Sequence, residues 1–354
     1  MKKSKIALII LNYNSRSHLP DLFSSLKSQT FTGFDTYLFD NASLDQGLEF
    51  VHQNYPWVKT VNNHKNLGYG GGLYRAVKHL LKKDIYDYYA FLNPDIKLDP
   101  HWLSHLLQTI NQDAETSIVA PLSLSWDGKI VDCAGGNILN LVTGVFTGFL
   151  GGQEYKNIPA RFRKRPFPVF FGLTVATLFK KEVFLKYGHF DKDYFMYMVD
   201  NDFSWRLLLA GRKILCEPRS LAYHRGHGSQ KTRLIELKIS GEAETNLLAT
   251  YYKNLSFLNL VLILPPLTIF RFFFSLIYLP LSPSLTMSKL KGIFRFYLNL
   301  LTLKYQKKRQ FAQSLRQVSD KKVFAQNPTP IFSVSPIFKL FLPHFNQLTK
   351  IFKK

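Results

Sequence analysis

Polar residues follow the apolar runs of this sequence, and residues 88–95 show the pattern most clearly. The apolar and aromatic run Tyr88–Leu92 predicts a buried strand. Asn93 and Pro94 interrupt it, because proline lacks a backbone N–H and restrains the residue before it. We therefore expect Asp95 just beyond the carboxyl end of the strand. A carboxylate there could hold a divalent cation against a phosphate, although Asn-Pro-Asp is also an ordinary turn.

Similar groups of polar residues follow the earlier apolar runs. Asn12 and Asn14 follow the first run, and Asp40 follows the second. A carboxylate at a strand end can accept a hydrogen bond from a pyrimidine N–H or a ribose hydroxyl, and it can equally cap a helix. Residues 66–72 contain four glycines, which would let the backbone approach a nucleotide. A dinucleotide fingerprint is incomplete there, because Leu73 occupies its third glycine position.

Two further groups of ionisable residues occur later in the chain. Asp200 and Asp202 stand at the start of a predicted helix that also contains Arg206. Acids are favoured at that end by the helix dipole alone, so their presence does not by itself indicate catalysis. His224 and His227 follow a late predicted strand, where either could be a metal ligand or a structural residue.

The elements that would position these residues alternate between strand and helix. This alternation predicts a doubly wound, mostly parallel sheet whose functional surface is one edge. The predicted strands are 5–13, 36–39, 57–61 and 88–92, with helices around 19–26 and 73–81.

After about residue 117 the pattern becomes mixed. An Asp-Gly pair between apolar runs predicts a hairpin of residues 118–125 and 129–140. The remaining predictions are an exposed basic loop at 161–165, one strand over 167–179, a helix at 181–187 ended by Gly188, a helix from about 197 ended by Gly211, and two short strands that end at His224.

Charge and hydropathy single out the C-terminal part of the chain. The net charge is +22, and residues 289–354 contain 14 lysines and arginines but one acid, Asp320. Before them, two apolar runs at 254–270 and 272–287 are separated by Arg271. A spanning helix needs about 20 apolar residues and tolerates a central arginine poorly. We expect an interfacial or re-entrant element beside anionic lipid; a true span or a buried partner-binding helix pair are the alternatives.

Cysteine content and the N-terminus bear on the compartment. The two cysteines, Cys133 and Cys216, are far apart, which argues against a disulfide scaffold or a zinc site and fits a reducing cytosol. No signal-peptide pattern precedes the first apolar strand, so we expect no secretion signal.

Taken together, these motifs resemble those of family 2 glycosyltransferases with a GT-A fold, in the rhamnosyltransferase-like branch. The resemblance covers about residues 5–229 and follows the family's order of motifs. The matching segments are residues 12–15, 40–43, 66–68, 93–95, 200–202 and 224–229. The resemblance implies a GT-A-type α/β fold with a mostly parallel sheet, a mixed acceptor-side half and a membrane-associated helical tail. The expected divisions are a nucleotide-sugar-binding half at 1–116, an acceptor and catalytic half at 117–253, a hydrophobic membrane segment at 254–288 and a basic tail at 289–354.

The resemblance also implies roles for the site residues. The expected nucleotide-sugar-binding residues are Asn12, Asn14, Asp40, Asn66, Gly68, Asn93 and Asp95. Asp95 matches the metal-binding acid of an Asp-x-Asp motif in which Asn93 replaces the first acid, and Mg²⁺ or Mn²⁺ would bridge the diphosphate. His224 matches the metal-side histidine, with His227 as the alternative.

In the same comparison, Asp200 matches the general base of an inverting, single-displacement reaction. Val199 replaces the acid that precedes it in the family, and Asp202 and Arg206 would orient Asp200 or bind the acceptor.

The resulting hypothesis is a glycosyltransferase at the cytoplasmic face of the membrane. It would transfer a sugar, first of all rhamnose from dTDP-rhamnose, to a glycan or lipid-linked glycan for cell-surface polysaccharide. A UDP-sugar donor and a non-catalytic relative remain alternatives, as does an oxidoreductase using the same sheet edge. The basic tail would also suit a nucleic-acid-binding protein, but the adjacent apolar runs place those charges beside a membrane, so we expect no nucleic acid.

Overall fold

The structure, a computed structural model, describes residues 5–226 and 233–327, and within them a ten-stranded mixed sheet forms the centre. The strands are β1 (Ile6–Asn12), β2 (Phe34–Asp40), β3 (Lys59–Asn62), β4 (Tyr88–Leu92), β5 (Ile96–Leu98), β6 (Thr116–Ser125), β7 (Val131–Ala134), β8 (Asn137–Asn140), β9 (Val145–Gly148), β10 (Phe167–Pro168), β11 (Ala176–Lys180) and β12 (Lys213–His224). The helices are α1 (Leu19–Lys27), α2 (Gly47–Asn54), α3 (Gly68–Leu81), α4 (Trp102–Ile110), α5 (Arg161–Lys164), α6 (Glu182–Lys186), α7 (Val199–Leu209), α8 (Arg233–Asn254), α9 (Phe257–Leu276), α10 (Pro283–Leu300), α11 (Leu303–Ser314) and α12 (Asp320–Phe324).

The first half of the sheet is parallel, as the alternation of strands and helices predicted. Strands β3, β2, β1 and β4 lie side by side in that order and in parallel. Residues 6–10 of β1 are fully buried and contribute alternately to two hydrophobic clusters, one on each face of the sheet. A central strand covered on both faces is therefore apolar throughout. The pairing register aligns Asn12 with Asp40 and Asp40 with Asn62, which gathers polar residues at one edge.

The second half of the sheet is mixed. Strand β11 pairs antiparallel with both β4 and β6, and β12 pairs parallel with β6. Strands from residues 1–116 and 117–253 thus share one sheet. Strands β8 and β9 form a separate hairpin.

Four predicted elements of this half are wrong in detail. Residues 167–179 form two strands, β10 and β11, because the intervening Phe170 and Phe171 leave the sheet to pack on Trp205. The two strands expected before His224 are one strand, β12, whose register shifts between Glu217 and Leu221. In the sequence, a shift of register within one strand resembles the boundary between two strands.

The other two differences concern the basic loop and the hairpin. Residues 161–165, expected as a loop, contain the short helix α5. The second hairpin strand is divided into β7 and β8 at Gly135, which has a φ of +77°, and Gly136. A Cβ at Gly136 would lie 1.4 Å from the carbonyl oxygen of Phe171, so only glycine fits this crossing.

The C-terminal region is helical, as predicted, and its helix α8 packs against α7. Helices α8 and α10 cross where Gly241 and Gly292 meet, and a Cβ at Gly292 would lie 2.1 Å from the Gly241 carbonyl oxygen. Helix α9 continues through Pro265 and Pro266 and through Arg271, which separates the two apolar runs in the sequence. It is the one helix of the described residues that is long and apolar enough to cross a membrane by length and composition, and 11% of its apolar window is buried.

A buried ion-pair cluster fixes α7 to this helical region. The Lys253 ammonium on α8 lies 2.8 Å from an Asp202 carboxylate oxygen on α7 and 2.9 Å from Asp191. Asp202 also pairs with Arg206 at 3.2 Å, and Asp191 pairs with Lys308 of α11 at 2.7 Å. The Lys253 and Asp202 side chains are 4% and 1% exposed, so solvent does not screen their attraction.

Replacing Lys253 tests this cluster. Lys253→Met would leave Asp191 and Asp202 buried with one cation fewer, so we expect a loss of about 3–5 kcal/mol in the free energy of unfolding. The measurement is the midpoint and slope of urea unfolding. Lys307→Met, at an exposed position of α11, is the matched control and should change stability by less than about 0.5 kcal/mol. Equal effects of the two substitutions would contradict the assigned importance of the cluster.

Candidate active site

A cavity of about 390 Å³ lies at the carboxyl ends of β1 and β4. We call it the strand-edge cavity. It is lined by Leu11, Tyr13, Ser15, Asn41, Asn66, Gly68, Tyr69, Asn93, Pro94, Asp95, Phe195, Met196, Ile235 and Lys238. Four of the predicted nucleotide-sugar-binding residues therefore line one cavity, namely Asn66, Gly68, Asn93 and Asp95. Its position matches the rule that open α/β sheets bind ligands beyond the carboxyl ends of their strands.

The side chain of Asn41 organises one wall of the cavity. Its amide nitrogen donates to Asn66 Oδ1 at 2.9 Å and to the Gly68 carbonyl at 3.1 Å. Its oxygen accepts from Asn63 Nδ2 and from the Leu67 N–H, both at 3.1 Å. All four of its hydrogen-bonding positions are thus used to shape the chain before α3.

Gly68 must be glycine for two reasons. Its φ is +71°, a conformation that side chains disfavour, and a Cβ there would lie 2.4 Å from the Phe195 carbonyl oxygen. The adjacent Tyr69 N–H donates to that same carbonyl at 2.6 Å. The glycine-rich stretch therefore allows α3 to begin directly against residues 194–195.

Asn12, Asn14 and Asp40 lie beside the cavity but do not line it. Asp40 is 3% exposed; it accepts from Asn12 Nδ2 at 2.8 Å and from the Ser43 N–H at 2.9 Å. Asn14 accepts from the Leu44 N–H at 2.7 Å. Their hydrogen bonds hold two loops, and the neighbouring Tyr13, Ser15 and Asn41 face the cavity instead.

Asp95, which lines the cavity, forms a row with His224 and Asp132, which do not line it. His224 Nε2 lies 3.3 Å from Asp95 Oδ2, and His224 Nδ1 lies 3.1 Å from Asp132 Oδ2. Burial alone would lower the pKa of His224, but the hydrogen bonds and charges of the two carboxylates raise it to about 10. The imidazole is therefore protonated when it lies between these carboxylates.

The chemistry of these donors fits a divalent cation that shares its coordination with a substrate. Within residues 5–226 and 233–327, no three His, Cys, Asp or Glu side chains form a complete metal site. Mg²⁺, however, is commonly held by one or two protein ligands together with substrate phosphates. Asp132 contacts the far nitrogen of His224, as carboxylates do beside metal-binding histidines. His227 lies outside the described residues.

Asp200 lies in the first turn of α7, after a distorted loop. Tyr197 and Met198 precede the helix with φ values of 62° and 63°, which non-glycine residues rarely adopt. Asp200 Oδ1 accepts from Thr174 Oγ1 at 2.7 Å, and its Oδ2 accepts from the Thr174 N–H at 3.4 Å. Burial raises the pKa of Asp200 to about 6, while the hydrogen bonds from Thr174 act in the opposite direction.

Tyr69 joins the two ends of the site. Its hydroxyl lies 2.5 Å from Thr174 Oγ1 and 3.4 Å from Asn93 Oδ1. Because Thr174 donates its proton to Asp200, Tyr69 is the donor to Thr174. Burial raises the pKa of Tyr69 well above its usual range, so this phenol keeps its proton.

The structure does not bring Asp202 and Arg206 to Asp200. Both are buried in the cluster around Lys253, and Arg206 donates to the carbonyls of Tyr187 at 2.8 Å and His189 at 2.7 Å. Their observed contacts fix α7 in place. The two side chains are 1% and 5% exposed, so an acceptor could not reach them. An orienting effect of Asp202 and Arg206 on Asp200, exerted through the position of α7, stays a prediction.

Four side chains at the site were missed by the sequence interpretation. Thr174 contacts Asp200, and Asp132 contacts His224. Lys238 lines the cavity. Asn246 Nδ2 donates to the Met196 carbonyl at 2.9 Å. None belongs to a recognisable motif. For Lys238 and Asn246, the available signal was their position among the polar residues of the segment that forms α8.

Comparison with known proteins agrees with this geometry. The family model for glycosyl transferase family 2 matches residues 7–188. An N-acetylglucosaminyl-diphospho-decaprenol L-rhamnosyltransferase of Mycobacterium tuberculosis is 26% identical in an alignment of 238 residues that covers 63% of this chain and 77% of that protein.

Two solved structures share the fold at low identity. TarS of S. aureus in complex with UDP-GlcNAc has a TM-score of 0.55 at 13% identity, over 91% of this chain and 90% of TarS. GalNAc-T7 with UDP, GalNAc and Mn²⁺ has a TM-score of 0.56 at 15% identity, over 87% of this chain and 58% of that chain. The mixed sheet is thus of the GT-A type. Because the family model covers more than half of the 354 residues and the fold agrees with it, the chain belongs to glycosyltransferase family 2.

Proposed function

We propose that this glycosyltransferase is inverting and moves a sugar from a nucleotide-sugar donor to a glycan or lipid-linked glycan, with Asp200 as the general base. The observation that carries the proposal is the position of Tyr69. It contacts Asn93, two residues before Asp95, and Thr174, which binds Asp200. Hydrogen bonds through Thr174 and Tyr69 therefore connect Asp200 to the wall of the strand-edge cavity at Asn93, and we infer that the acceptor hydroxyl and the donor meet beside this connection, as a direct displacement requires.

The strand-edge cavity would bind the donor in an extended arrangement. The nucleoside would lie against Tyr13, Asn41 and the backbone at Gly68. The diphosphate would lie toward Asp95 and His224. Lys238 of α8 lines the same cavity, with its ammonium 3.8 Å from the Phe195 ring centre, and would contribute positive charge to the leaving group. A Mg²⁺ or Mn²⁺ ion held by Asp95, and by His224 after binding of the ion displaces the proton from Nε2, would supply Lewis-acid stabilisation of that diphosphate.

Asp200 would accept the proton of the acceptor hydroxyl as its oxygen attacks the anomeric carbon. The new carbon–oxygen bond forms while the bond to the diphosphate breaks, and its electron pair leaves with the diphosphate. A pKa of about 6 suits this role, because the carboxylate is ionised near neutral pH and is still basic enough to take a proton. Thr174, oriented by Tyr69, would hold the carboxylate in place.

For the donor sugar we propose rhamnose, carried as dTDP-rhamnose. The support is the relative from Mycobacterium tuberculosis, whose name states an L-rhamnosyltransferase that acts on a diphospho-decaprenol-linked sugar. The same relative supports a lipid-linked acceptor for surface polysaccharide.

We further propose that the protein acts at the cytoplasmic face of a membrane, bound to anionic lipid. Apolar side chains of α9 are exposed, among them Phe257 at 76%, Leu262 at 61% and Phe273 at 61%. Contiguous exposed apolar surface of this kind is typical of a membrane or protein contact. The basic residues that follow on α10 and α11 would add attraction to anionic headgroups.

The direct test of the proposal is Asp200→Asn. The amide cannot accept the acceptor proton, so we expect transfer to fall at least about 10²-fold. The assay is sugar transfer over a panel of dTDP- and UDP-sugars with a lipid-linked acceptor, and nucleotide affinity is the control that should not change. An active Asp200→Asn enzyme would remove this residue from the role of base.

The pH dependence of transfer provides a second test. Asp200 must be ionised, so the rate should rise with pH through about 6 and then level off. Thr174→Val removes a hydrogen bond that lowers the pKa of Asp200, so the rising limb should move to higher pH. Thr177→Val, a nearby threonine that bonds to the Leu173 carbonyl instead, is the matched control. A limb that stays in place in Thr174→Val would argue against Asp200 as the titrating group.

A third test concerns the cation. Asp95→Ala removes the carboxylate that would face the diphosphate, so addition of Mn²⁺ should no longer increase the affinity for dTDP or UDP. Calorimetric titration with metal and with chelator measures this directly. If Asp95→Ala retained the full metal effect on nucleotide affinity, the assignment of Asp95 would be wrong.

The fourth test addresses the membrane surface. Substituting Leu262 and Phe273 with asparagine removes exposed apolar area from α9, so binding to anionic vesicles should weaken about tenfold or more. The matched control substitutes Ile85 and Leu185, which are exposed elsewhere at 48% and 64%. Cosedimentation with vesicles is the measurement, and equal binding by both double variants would contradict the role of α9.

A further inference from the structure

The loop that precedes α7 separates two cavities. Phe195 and Met196 line the strand-edge cavity, whereas Tyr197 and Met198 line a second cavity of about 320 Å³. We call the second one the helix-side cavity. It is enclosed by the β8–β9 hairpin, the start of α7, and helices α8 and α9. Asn201, which lines the helix-side cavity, follows Asp200 in α7, so this cavity lies beside the proposed base.

A buried, unpartnered amide lines the helix-side cavity. Asn201 is 6% exposed, and its Nδ2 has no hydrogen-bond partner among the residues that the structure describes. A buried donor without a partner costs about 1–3 kcal/mol. A ligand with an oxygen acceptor would offset this cost, and the donor stands one residue from Asp200.

The charge of the cavity wall is positive. Arg271 lines the cavity and donates through Nε to Glu244 at 2.7 Å, and Lys289 binds the same carboxylate at 2.7 Å. Glu244 is fully buried, and the Arg271 and Lys289 side chains are 11% and 12% exposed. Two cations against one carboxylate leave a formal charge of +1 in a poorly solvated position. Such a site attracts an anion more strongly than an exposed lysine would.

The rest of the cavity is suited to an apolar chain. Val145, Leu247 and Phe274 contribute aliphatic and aromatic surface. Arg271 and Phe274 belong to α9, whose neighbouring residues Ile269 and Phe273 are 57% and 61% exposed. The cavity therefore adjoins the exposed apolar surface of α9.

We propose that the helix-side cavity binds the acceptor as a lipid that carries a phosphate or diphosphate. The anionic group would lie near Arg271, Asn201 Nδ2 would donate to an oxygen of the acceptor, and the hydrocarbon chain would pass Leu247 and Phe274 to the apolar surface of α9. This inference rests on the proposed function, because it places the acceptor beside Asp200. The positive wall, the unpartnered amide and the adjoining apolar surface are each complementary to one part of such a lipid.

The test uses the full-length protein and farnesyl diphosphate as the probe. Val145→Trp fills the cavity, and Val142→Trp adds the same ring at a position of the same hairpin that is 43% exposed and does not line the cavity. We expect Val145→Trp to weaken farnesyl diphosphate binding about tenfold or more while Val142→Trp leaves it unchanged. Equal affinities of the two variants would overturn the proposal.

A second variant separates binding from folding. Asn201→Leu removes a donor that has no partner in the described structure, so it should not lower the melting temperature, yet it should weaken the probe about tenfold. Inorganic diphosphate should bind much more weakly than farnesyl diphosphate to the wild type. Equal affinity for the two would identify an anion site alone and would overturn the lipid assignment.

Nucleotide binding, measured on the same proteins, distinguishes the two proposals. If dTDP and UDP bind normally to all variants while lipid binding ignores Val145→Trp, the acceptor inference fails alone. If no nucleotide binds to the wild type but Val145→Trp still weakens farnesyl diphosphate, the proposed donor chemistry fails and the lipid site stands.

Discussion

The position of Asp200 depends on a buried cation, Lys253. Its ammonium lies between Asp191 and Asp202 and so joins the segment before α7, α7 itself and α8. Buried ion pairs gain little net stability, because desolvation offsets most of their attraction. Their geometry is nevertheless specific, since moving α7 relative to α8 would leave a charge without its partner. Buried charges therefore hold the C-terminal helices to the segment that carries Asp200.

The same segment is also held from the opposite side. The N–H groups of Tyr69 and Gly70 donate to the carbonyls of Phe195 and Tyr194 at 2.6 and 3.1 Å. From α8, Asn246 donates to the Met196 carbonyl. A residue in a left-handed conformation costs of order 1–3 kcal/mol and persists where the surroundings determine it. Hydrogen bonds from α3 and α8 hold the loop that precedes α7 in this conformation.

Local patterns were sufficient for the parallel half of the sheet and for the edge at which the site lies. Strand β4 spans the predicted residues 88–92, and the polar residues after it line a cavity. The contacts that complete the site were not predictable in this way. Thr174 and Asp200 are 26 residues apart in the sequence, and Asp132 and His224 are 92 residues apart. The periodicity of a sequence does not indicate contacts between residues that are so far apart. A sequence pattern also cannot show which polar side chains line a cavity. Asn41 lines the cavity, whereas its neighbour Asp40 is buried and does not.

Two departures from the family pattern have physical consequences. Val199 is 1% exposed within the hydrophobic core, so an acid there would be desolvated without a cation, and Asp200 has no carboxylate at the position before it. Its pKa is then set by burial and by Thr174. Asn93 leaves Asp95 as the carboxylate nearest the strand end. With His224 protonated, the charges of Asp95, His224 and Asp132 sum to −1, which would repel a diphosphate. A donor diphosphate bound there would therefore need positive charge beside it, and Lys238, which lines the cavity, and a divalent cation would both be compatible with this arrangement.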